Sequence, residues 1–291
     1  MSTRKKYLLV VNPISGDRDK TQMLEQIHDF AAHLEIDMVS YETSGTNDEN
    51  EIKMLYDIYK PLRIIIAGGD GTIKMVGEAL ENENVIFGII PAGSANGLSI
   101  DLNLPSTFEE NLQVAFQNDY MEIDMVAING KKSLHLSDVG LNALLVKNYE
   151  NGDTRGKLGY ALQVISTLME SEEPFEATIE VNGQLVKTMA KMIVIANSQK
   201  YGTGVTINPN GKINDGKFEI VVLKNLDVFV VGKIVTGNIL LNSEEVVIFS
   251  TEKAIITTRK KISFQIDGEY CGEVDKLDIT ILPGQMKVAV P

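Results

Sequence analysis

The stretch Arg63–Leu80, RIIIAGGDGTIKMVGEAL, decides the fold. Its apolar start predicts a buried strand, Gly68–Thr72 a tight turn, and the residues from Thr72 onward a helix. Units of this kind build open parallel sheets, which bind ligands at the carboxyl ends of their strands. Glycines there let the backbone approach a ligand, and the N-terminus of the following helix attracts phosphate. We therefore expect a phosphate loop, with Asp70 available to hold Mg²⁺.

Two further loops of small residues support this interpretation. Asn12–Gly16 follows the first predicted strand, and Pro91–Gly97 follows the fourth. Each loop taken alone is more typical of an ordinary connection, and Asp70 or Thr72 could simply cap the helix. Because the carboxyl ends of parallel strands meet at one edge of a sheet, we expect the three loops to converge there.

The first 120 residues alternate between strand-like and helix-like segments. Strands are predicted at Tyr7–Val11, Asp37–Tyr41, Arg63–Ala67 and Val85–Ile90, and helices at Lys20–Leu34, Glu49–Tyr59 and Thr72–Leu80. This rhythm predicts an open parallel α/β sheet with helices on both faces. We assign residues 1–122 to this nucleotide-binding domain.

From about Met121 the chain becomes rich in strands, and we assign residues 123–291 to an antiparallel β-sandwich domain, with the last strand free to return to the first domain. Three dipeptides typical of hairpin turns lie between apolar runs: Asn129-Gly130, Asn182-Gly183 and Asp267-Gly268. Glu176–Val181 and Lys191–Ala196 are predicted to pair. Further strands are predicted at Lys217–Leu223, Val246–Ser250, Ala254–Thr258, Ile262–Ile266, Leu277–Leu282 and Met286–Val290, and helices at Leu158–Glu170 and Asp227–Leu241.

Composition excludes several classes of protein. The 291 residues carry a formal net charge of −13, which argues against a general nucleic-acid binder. A single cysteine, Cys271, excludes an intramolecular disulfide framework and a cysteine-cluster zinc site. No apolar stretch is long enough to span a bilayer, and no secretory segment is visible. We therefore expect a cytoplasmic protein that could contact membranes only peripherally.

The motifs, taken in order, resemble those of the diacylglycerol kinase catalytic-domain family, which includes soluble bacterial lipid kinases and the sphingosine and ceramide kinases. The segments that carry the resemblance are Asn12–Gly16, Gly68–Thr72, Pro91–Asn96, Asp124, Ser137–Ala143, Asn214–Phe218 and Asp267–Glu269. Their order and spacing cover nearly the whole chain. The fold implied is a parallel α/β domain like that of NAD kinases and diacylglycerol kinases, followed by the β-rich domain.

The resemblance implies ATP-dependent phosphorylation of a lipid hydroxyl, for example of diacylglycerol or a sphingoid-type lipid, with ATP bound between the domains and Mg²⁺ as the metal. The positions that match the family's nucleotide contacts are Asn12, Pro13, Ile14, Ser15, Gly16, Thr43, Gly68, Gly69, Asp70, Gly71, Thr72, Ile73, Lys74, Ser94 and Asn96. Asp70 and Asp124 match residues that organise catalytic Mg²⁺ through water. A structural Mg²⁺ would use the Asp215 carboxylate and the backbone carbonyls of Lys212 and Lys217.

The same resemblance makes Glu269 the proton acceptor, with Asp267 beside it. The implied partner is a lipid met transiently at the membrane surface, and bacterial relatives suggest a homodimer. Three positions depart from the family: Lys74 and Met75 replace Asn and Glu, and Gly97 replaces an Asp that many members have. These departures keep a non-catalytic nucleotide-binding regulator as an alternative. An NAD kinase-like enzyme is a second alternative, because NAD kinases share the Gly-Gly-Asp-Gly motif and a similar length.

Overall fold

The structure, a computed structural model, describes residues 4–17, 19–94, 96–141, 143, 146, 173–200, 206–224 and 245–291. The chain forms two compact units. The first comprises Met1–Ile123 and Gly284–Pro291, and the second comprises Asp124–Pro283. The helices predicted at Leu158–Glu170 and Asp227–Leu241 lie outside the described residues. Within the described part of the chain, no helix is long and apolar enough to cross a bilayer.

The first unit is built on a parallel sheet, which confirms the predicted α/β architecture. Its strands are β1 (Lys6–Val11), β2 (Asp37–Glu42), β3 (Arg63–Gly68) and β4 (Ile86–Pro91), in the spatial order β4-β3-β1-β2. The helices are α1 (Thr21–His33), α2 (Asp48–Tyr59), α3 (Asp70–Ala79), α4 (Gly97–Asp101) and α5 (Phe108–Gln117). The sequence analysis did not predict α4 or α5.

Burial explains why the central strands are apolar throughout. Leu9 of β1 and Ile65 of β3 pack in a core cluster with residues of α1 and α5. Leu8 and Ile64 point to the opposite face, because side chains alternate along a strand. All four are fully buried, so both faces of the sheet are covered.

The second unit is antiparallel. Its strands are β5 (Tyr120–Ile128, which begins in the first unit), β6 (Lys131–Ser133), β7 (Leu136–Gly140), β8 (Phe175–Val181), β9 (Gln184–Ala190), β10 (Met192–Ala196), β11 (Phe218–Leu223), β12 (Val246–Thr251), β13 (Lys253–Ile266) and β14 (Glu269–Ala289). In this unit the strands pair in the order β12-β11-β10-β7-β13-β14, and β8 joins β13 to β9.

The three predicted hairpin turns are confirmed. Asn129-Gly130 joins β5 to β6, Asn182-Gly183 joins β8 to β9, and Asp267-Gly268 joins β13 to β14. Both residues of each dipeptide have positive φ. This is the geometry of two-residue turns whose twist matches that of paired strands.

Three strand predictions were wrong in detail. Glu176–Val181 does not pair with Lys191–Ala196, because the two-residue turn at Asn182-Gly183 directs the chain back along β8 and makes β9 its partner. The separately predicted strands Ala254–Thr258 and Ile262–Ile266 are one strand, β13, with a register shift between Thr257 and Ile262. In the same way Leu277–Leu282 and most of Met286–Val290 belong to the single strand β14.

The end of β14 belongs to the first unit. Lys287 and Val288 pair with Ile86 and Phe87 of β4 in parallel register. Just beyond this strand, the Val290 N–H donates to the Asp119 carbonyl at 3.1 Å. The parallel sheet therefore depends on residues from the far end of the chain.

Candidate functional site

The three glycine-rich loops of the first unit meet at the carboxyl edge of the parallel sheet. Asn12 Nδ2, in the loop after β1, donates to Thr72 Oγ1 on α3 at 3.2 Å. Ser15 Oγ, in the same loop, donates to the Ala92 carbonyl in the loop after β4 at 2.9 Å. The predicted convergence of the loops is confirmed.

Two of the loop glycines lie too close to neighbouring atoms for any residue with a Cβ to take their place. A Cβ at Gly68 would lie 2.6 Å from Thr72 Cβ, so only glycine lets α3 start so near to β3. Gly16 has a φ of +71°, and a Cβ there would lie 2.8 Å from the Ala92 carbonyl oxygen. Both positions therefore require glycine for the loops to fit together.

The Asp70 side chain links the loop after β3 to the loop after β4. As the first residue of α3, it accepts hydrogen bonds from the N–H groups of Gly97 (2.7 Å to Oδ2) and Leu98 (3.1 Å to Oδ1), which begin α4. Many family members have Asp where this chain has Gly97. The hydrogen bond from residue 97 to Asp70 uses a backbone N–H group, so it does not depend on the side chain at that position. No sequence pattern indicates this role, because the two segments are 27 residues apart.

Lys20 is a buried cation that the sequence analysis missed. Its side chain is only 7% exposed, and Nζ donates to the carbonyls of Pro13 at 3.4 Å and of Ser15. The ammonium group therefore draws carbonyl oxygens of the first loop toward itself. It also adds positive charge next to a loop predicted to bind phosphate.

The remaining predicted nucleotide residues lie at or near the same edge. Thr43 follows β2, and its N–H donates to the Val11 carbonyl at 2.8 Å. Asn96 folds its amide back onto Gly93, accepting from its N–H at 3.0 Å and donating to its carbonyl at 2.9 Å. Ile73 is 1% exposed and so contributes its side chain to the core. The exposed residues are Pro13, Ile14, Gly71 and Ser94, and the partly buried ones are Gly69 and Lys74.

The loop that carries Thr43 is held by Asp48, a buried residue at the start of α2 that the sequence analysis also missed. Asp48 accepts hydrogen bonds from Tyr41 OH at 2.7 Å and from the N–H groups of Ser44 and Gly45, both at 2.8 Å. Burial opposes ionisation of Asp48, but these hydrogen bonds outweigh it and lower its pKa. Burial and the Asp48 carboxylate raise the pKa of Tyr41 to about 12, so its hydroxyl remains a donor.

Asp48→Asn should destabilise the protein at neutral pH and not in strong acid. A carboxylate whose pKa is lowered by folding stabilises the protein above its unfolded pKa of about 3.9 and loses that effect as pH falls through the folded pKa. We expect the variant to lose about 1–2 kcal/mol of unfolding free energy at pH 7. Denaturant unfolding between pH 7 and pH 3 measures this, with the exposed Glu49→Gln as control. A difference that persists unchanged at low pH would contradict the assignment.

In the second unit, the turn at Asp267-Gly268 places Glu269 at the start of β14. The Asp267 carboxylate accepts from Ser133 Oγ at 3.0 Å and from the N–H groups of Leu134 and His135, both at 2.9 Å. These contacts give Asp267 a structural task in holding the turn. Glu269 is exposed and so available to a substrate.

The predicted metal residues of the second unit also come together. Asp124 is 3% exposed; its Oδ2 accepts from the Gly216 N–H at 2.8 Å, and its own N–H donates to the Ile213 carbonyl at 2.8 Å. Asp215 accepts from the Lys217 N–H at 3.1 Å. Lys212, Asp215 and Lys217 are exposed. In the described part of the chain, no group of three or more His, Cys, Asp or Glu side chains is arranged to hold a metal ion.

Comparison with known proteins identifies the class. Residues 6–128 match the diacylglycerol kinase catalytic domain, and residues 138–290 match the YegS C-terminal NAD kinase beta sandwich-like domain. The diacylglycerol kinase of Bacillus subtilis is 24% identical over 97% of this chain and 92% of its own length. That of Staphylococcus haemolyticus is 25% identical over 93% of this chain and 84% of its own.

The chain also resembles a crystal structure of a diacylglycerol kinase from Bacillus anthracis, with a TM-score of 0.78 at 20% sequence identity. The match covers 100% of this chain and 98% of the chain in that structure, so the two share a fold. Together the two domain matches define a kinase with an α/β catalytic domain and a β-sandwich domain. The chain belongs to the diacylglycerol kinase catalytic-domain family. It is therefore an ATP-dependent phosphotransferase with an alcohol group as acceptor.

Proposed function

We propose that this kinase phosphorylates the hydroxyl of a diacylglycerol-type lipid. The observation that carries the proposal is the hydrogen-bonded set of three loops in the first unit, in a chain whose relatives are named diacylglycerol kinases. Asn12, Ser15 and Asp70 fix the loops to one another, so their backbone N–H groups are arranged before ATP binds. Phosphoryl transfer depends mainly on such positioning and on charge neutralisation.

The phosphates of ATP would bind at the N-terminus of α3. The first turn of a helix leaves N–H groups without an intrahelical acceptor and carries a partial positive charge. Gly71, in this turn, is exposed, and a Cβ built there would meet nothing within 4 Å, so there is open space beside the backbone. Lys20 supports the site through the first loop.

Glu269 would accept the proton of the lipid hydroxyl. The hydroxyl oxygen then attacks the γ-phosphorus of ATP, the bond to the β-phosphate oxygen breaks, and ADP leaves. A carboxylate suits this task because it can accept a proton from a hydroxyl group. Glu269 also follows a turn whose shape is fixed by the hydrogen bonds of Asp267.

The second unit offers oxygen donors that fit Mg²⁺. The Asp215 carboxylate and the carbonyls of Lys212 and Lys217 are oxygen ligands of the kind that Mg²⁺ prefers, and Asp124 holds the backbone of their loop. Mg²⁺ bound there would stabilise the loop. A separate Mg²⁺, organised through water by Asp70 and Asp124, would supply positive charge that offsets the charge of the phosphates.

Transfer of the radiolabelled γ-phosphate of ATP tests the proposal. Diacylglycerol and sphingoid lipids are offered separately in mixed micelles, and NAD is offered in a parallel reaction. We expect labelled diacylglycerol. Labelled NADP would favour an NAD kinase-like enzyme, to which the match of the second domain gives some support. Nucleotide binding without transfer to any acceptor would favour a regulator and overturn the proposal.

Because the acyl chains of such a substrate reside in a bilayer, we also propose that the protein meets the membrane surface transiently. The net charge of −13 means that this contact must be local. Vesicle sedimentation with and without diacylglycerol measures it directly.

A further inference from the structure

A buried polar pair is hydrogen-bonded to the turn that carries Glu269. Asp138 of β7 and Gln265 of β13 lie directly opposite each other in antiparallel register, with exposures of 0% and 1%. Gln265 Nε2 donates to Asp138 Oδ2 at 2.5 Å. The residues on either side of Gln265, Phe264 and Ile266, belong to the main apolar cluster of the second unit.

The pair continues into the turn through one more hydrogen bond. The Gly268 N–H donates to Gln265 Oε1 at 2.7 Å. Because Asp138 Oδ2 accepts the hydrogen bond from Gln265 Nε2, it fixes the orientation of the Gln265 amide, with its NH₂ group toward Asp138. The amide oxygen is thereby directed at Gly268, one residue before Glu269.

The hairpin also has stabilising features that do not involve the pair. The turn residues Asp267 and Gly268 already have the positive φ angles that a two-residue hairpin requires. The Asp267 carboxylate independently ties the turn to the segment at 133–135. A buried carboxylate carries a desolvation cost that an apolar pair of similar size would avoid. What the pair adds is a fixed orientation of the Asp267–Gly268 peptide group, which lies one residue before Glu269.

We propose that Asp138 and Gln265 are positioning residues that hold the Glu269 carboxylate in the orientation in which it accepts the proton of the substrate. The inference rests on the proposed function and names a further part of its machinery. Neither residue touches substrate; both act through the backbone of Gly268. Asp138 lies in the motif segment Ser137–Ala143, but the sequence assigns neither residue this role, because the contact becomes visible only when β7 and β13 are paired.

Gln265→Met tests the proposal, since it removes both hydrogen bonds at similar side-chain volume. We expect kcat to fall about 10- to 100-fold, the effect typical of a misplaced catalytic group. The KM for ATP should stay unchanged, because the nucleotide loops belong to the first unit. Gln184→Met, at an exposed position on β9, serves as the matched control and should keep the wild-type kcat.

An exchange of the two functional groups tests the hydrogen bonds themselves. Gln265→Glu alone places two carboxylates in contact and should lower kcat. Adding Asp138→Asn restores the chain with donor and acceptor reversed: the amide at 138 donates to the carboxylate at 265, whose other oxygen accepts from Gly268. We expect the double variant to regain about tenfold in kcat over Gln265→Glu, as coupled neighbours do.

The measurements separate positioning from stability. Melting temperature and the fraction of folded protein are recorded for every variant, and kcat is expressed per folded molecule. A wild-type kcat in Gln265→Met, or no recovery in the double variant, would overturn the inference while leaving the proposed function intact. A wild-type protein that labels no lipid would instead overturn the proposed function, and this inference with it.

Discussion

Glu269→Gln should nearly abolish phosphoryl transfer while leaving ATP binding intact. The amide has almost the shape of the carboxylate but cannot take a proton, so the acceptor hydroxyl would have to lose its proton to water. Removal of a general base of this kind lowers kcat by about 10²- to 10⁴-fold. The exposed position of Glu269 at the start of β14 means that the substitution disturbs no buried contact of its side chain.

The assay is single-turnover transfer from ATP to lipid, with nucleotide affinity measured separately by calorimetry. Glu273→Gln, on the same strand and also exposed, is the matched control and should transfer phosphate at the wild-type rate. If Glu269→Gln remained fully active, the proton acceptor would have to be another group. If it lost ATP binding as well, the substitution would have acted on structure and not on chemistry.

Asp70→Ala should damage nucleotide binding and stability together. The substitution leaves the N–H groups of Gly97 and Leu98 without their carboxylate acceptor, so the loop after β4 loses its attachment to α3. Hydrogen bonds to a charged group contribute about 1.5–3 kcal/mol each, so we expect the free energy of unfolding to fall by about 2–4 kcal/mol. The KM for ATP should rise by about tenfold or more, since phosphate binding depends on the arrangement of the loops.

Asp29→Ala, an exposed aspartate on α1, provides the control in the same unit and should change neither quantity. Asp70→Asn separates the two roles of the side chain, because the amide keeps one acceptor oxygen but has no charge to attract Mg²⁺. A variant with normal stability and a raised requirement for Mg²⁺ would support the metal role. Unchanged stability in Asp70→Ala would contradict the structural one.

The fold could be predicted well because its signals are local. Apolar runs such as Tyr7–Val11 and turn dipeptides such as Asn182-Gly183 specify strands and hairpins from a few neighbouring residues. The pairing of strands was harder to predict. The partner of Glu176–Val181 is fixed by the geometry of a two-residue turn. The prediction of Lys191–Ala196 as that partner missed the strand between them, which contains several polar residues. That strand, β9, pairs with β8, and its residues alternate between exposed and partly buried over most of its length.

The candidate site could be predicted only in part, for a related reason. Glycine motifs reveal where the backbone approaches a ligand, so the three loops were visible in the sequence. Lys20, Asp48 and Gln265 were not, because each acts on residues that only the folded chain brings near. An isolated lysine, aspartate or glutamine carries no pattern. Residues that support a site through contacts with other residues are therefore harder to predict from sequence than the loops that bind the ligand.

The return of β14 to the first unit constrains how the protein can be made. Most of the first unit is synthesised by residue 123, yet β4 receives its neighbour only when Lys287 and Val288 have been added. Co-translational folding, in which N-terminal domains normally finish first, would here leave the edge of β4 open until that segment leaves the ribosome. A stop codon before Lys287 should therefore destabilise the first unit, although nearly all of that unit would still be synthesised.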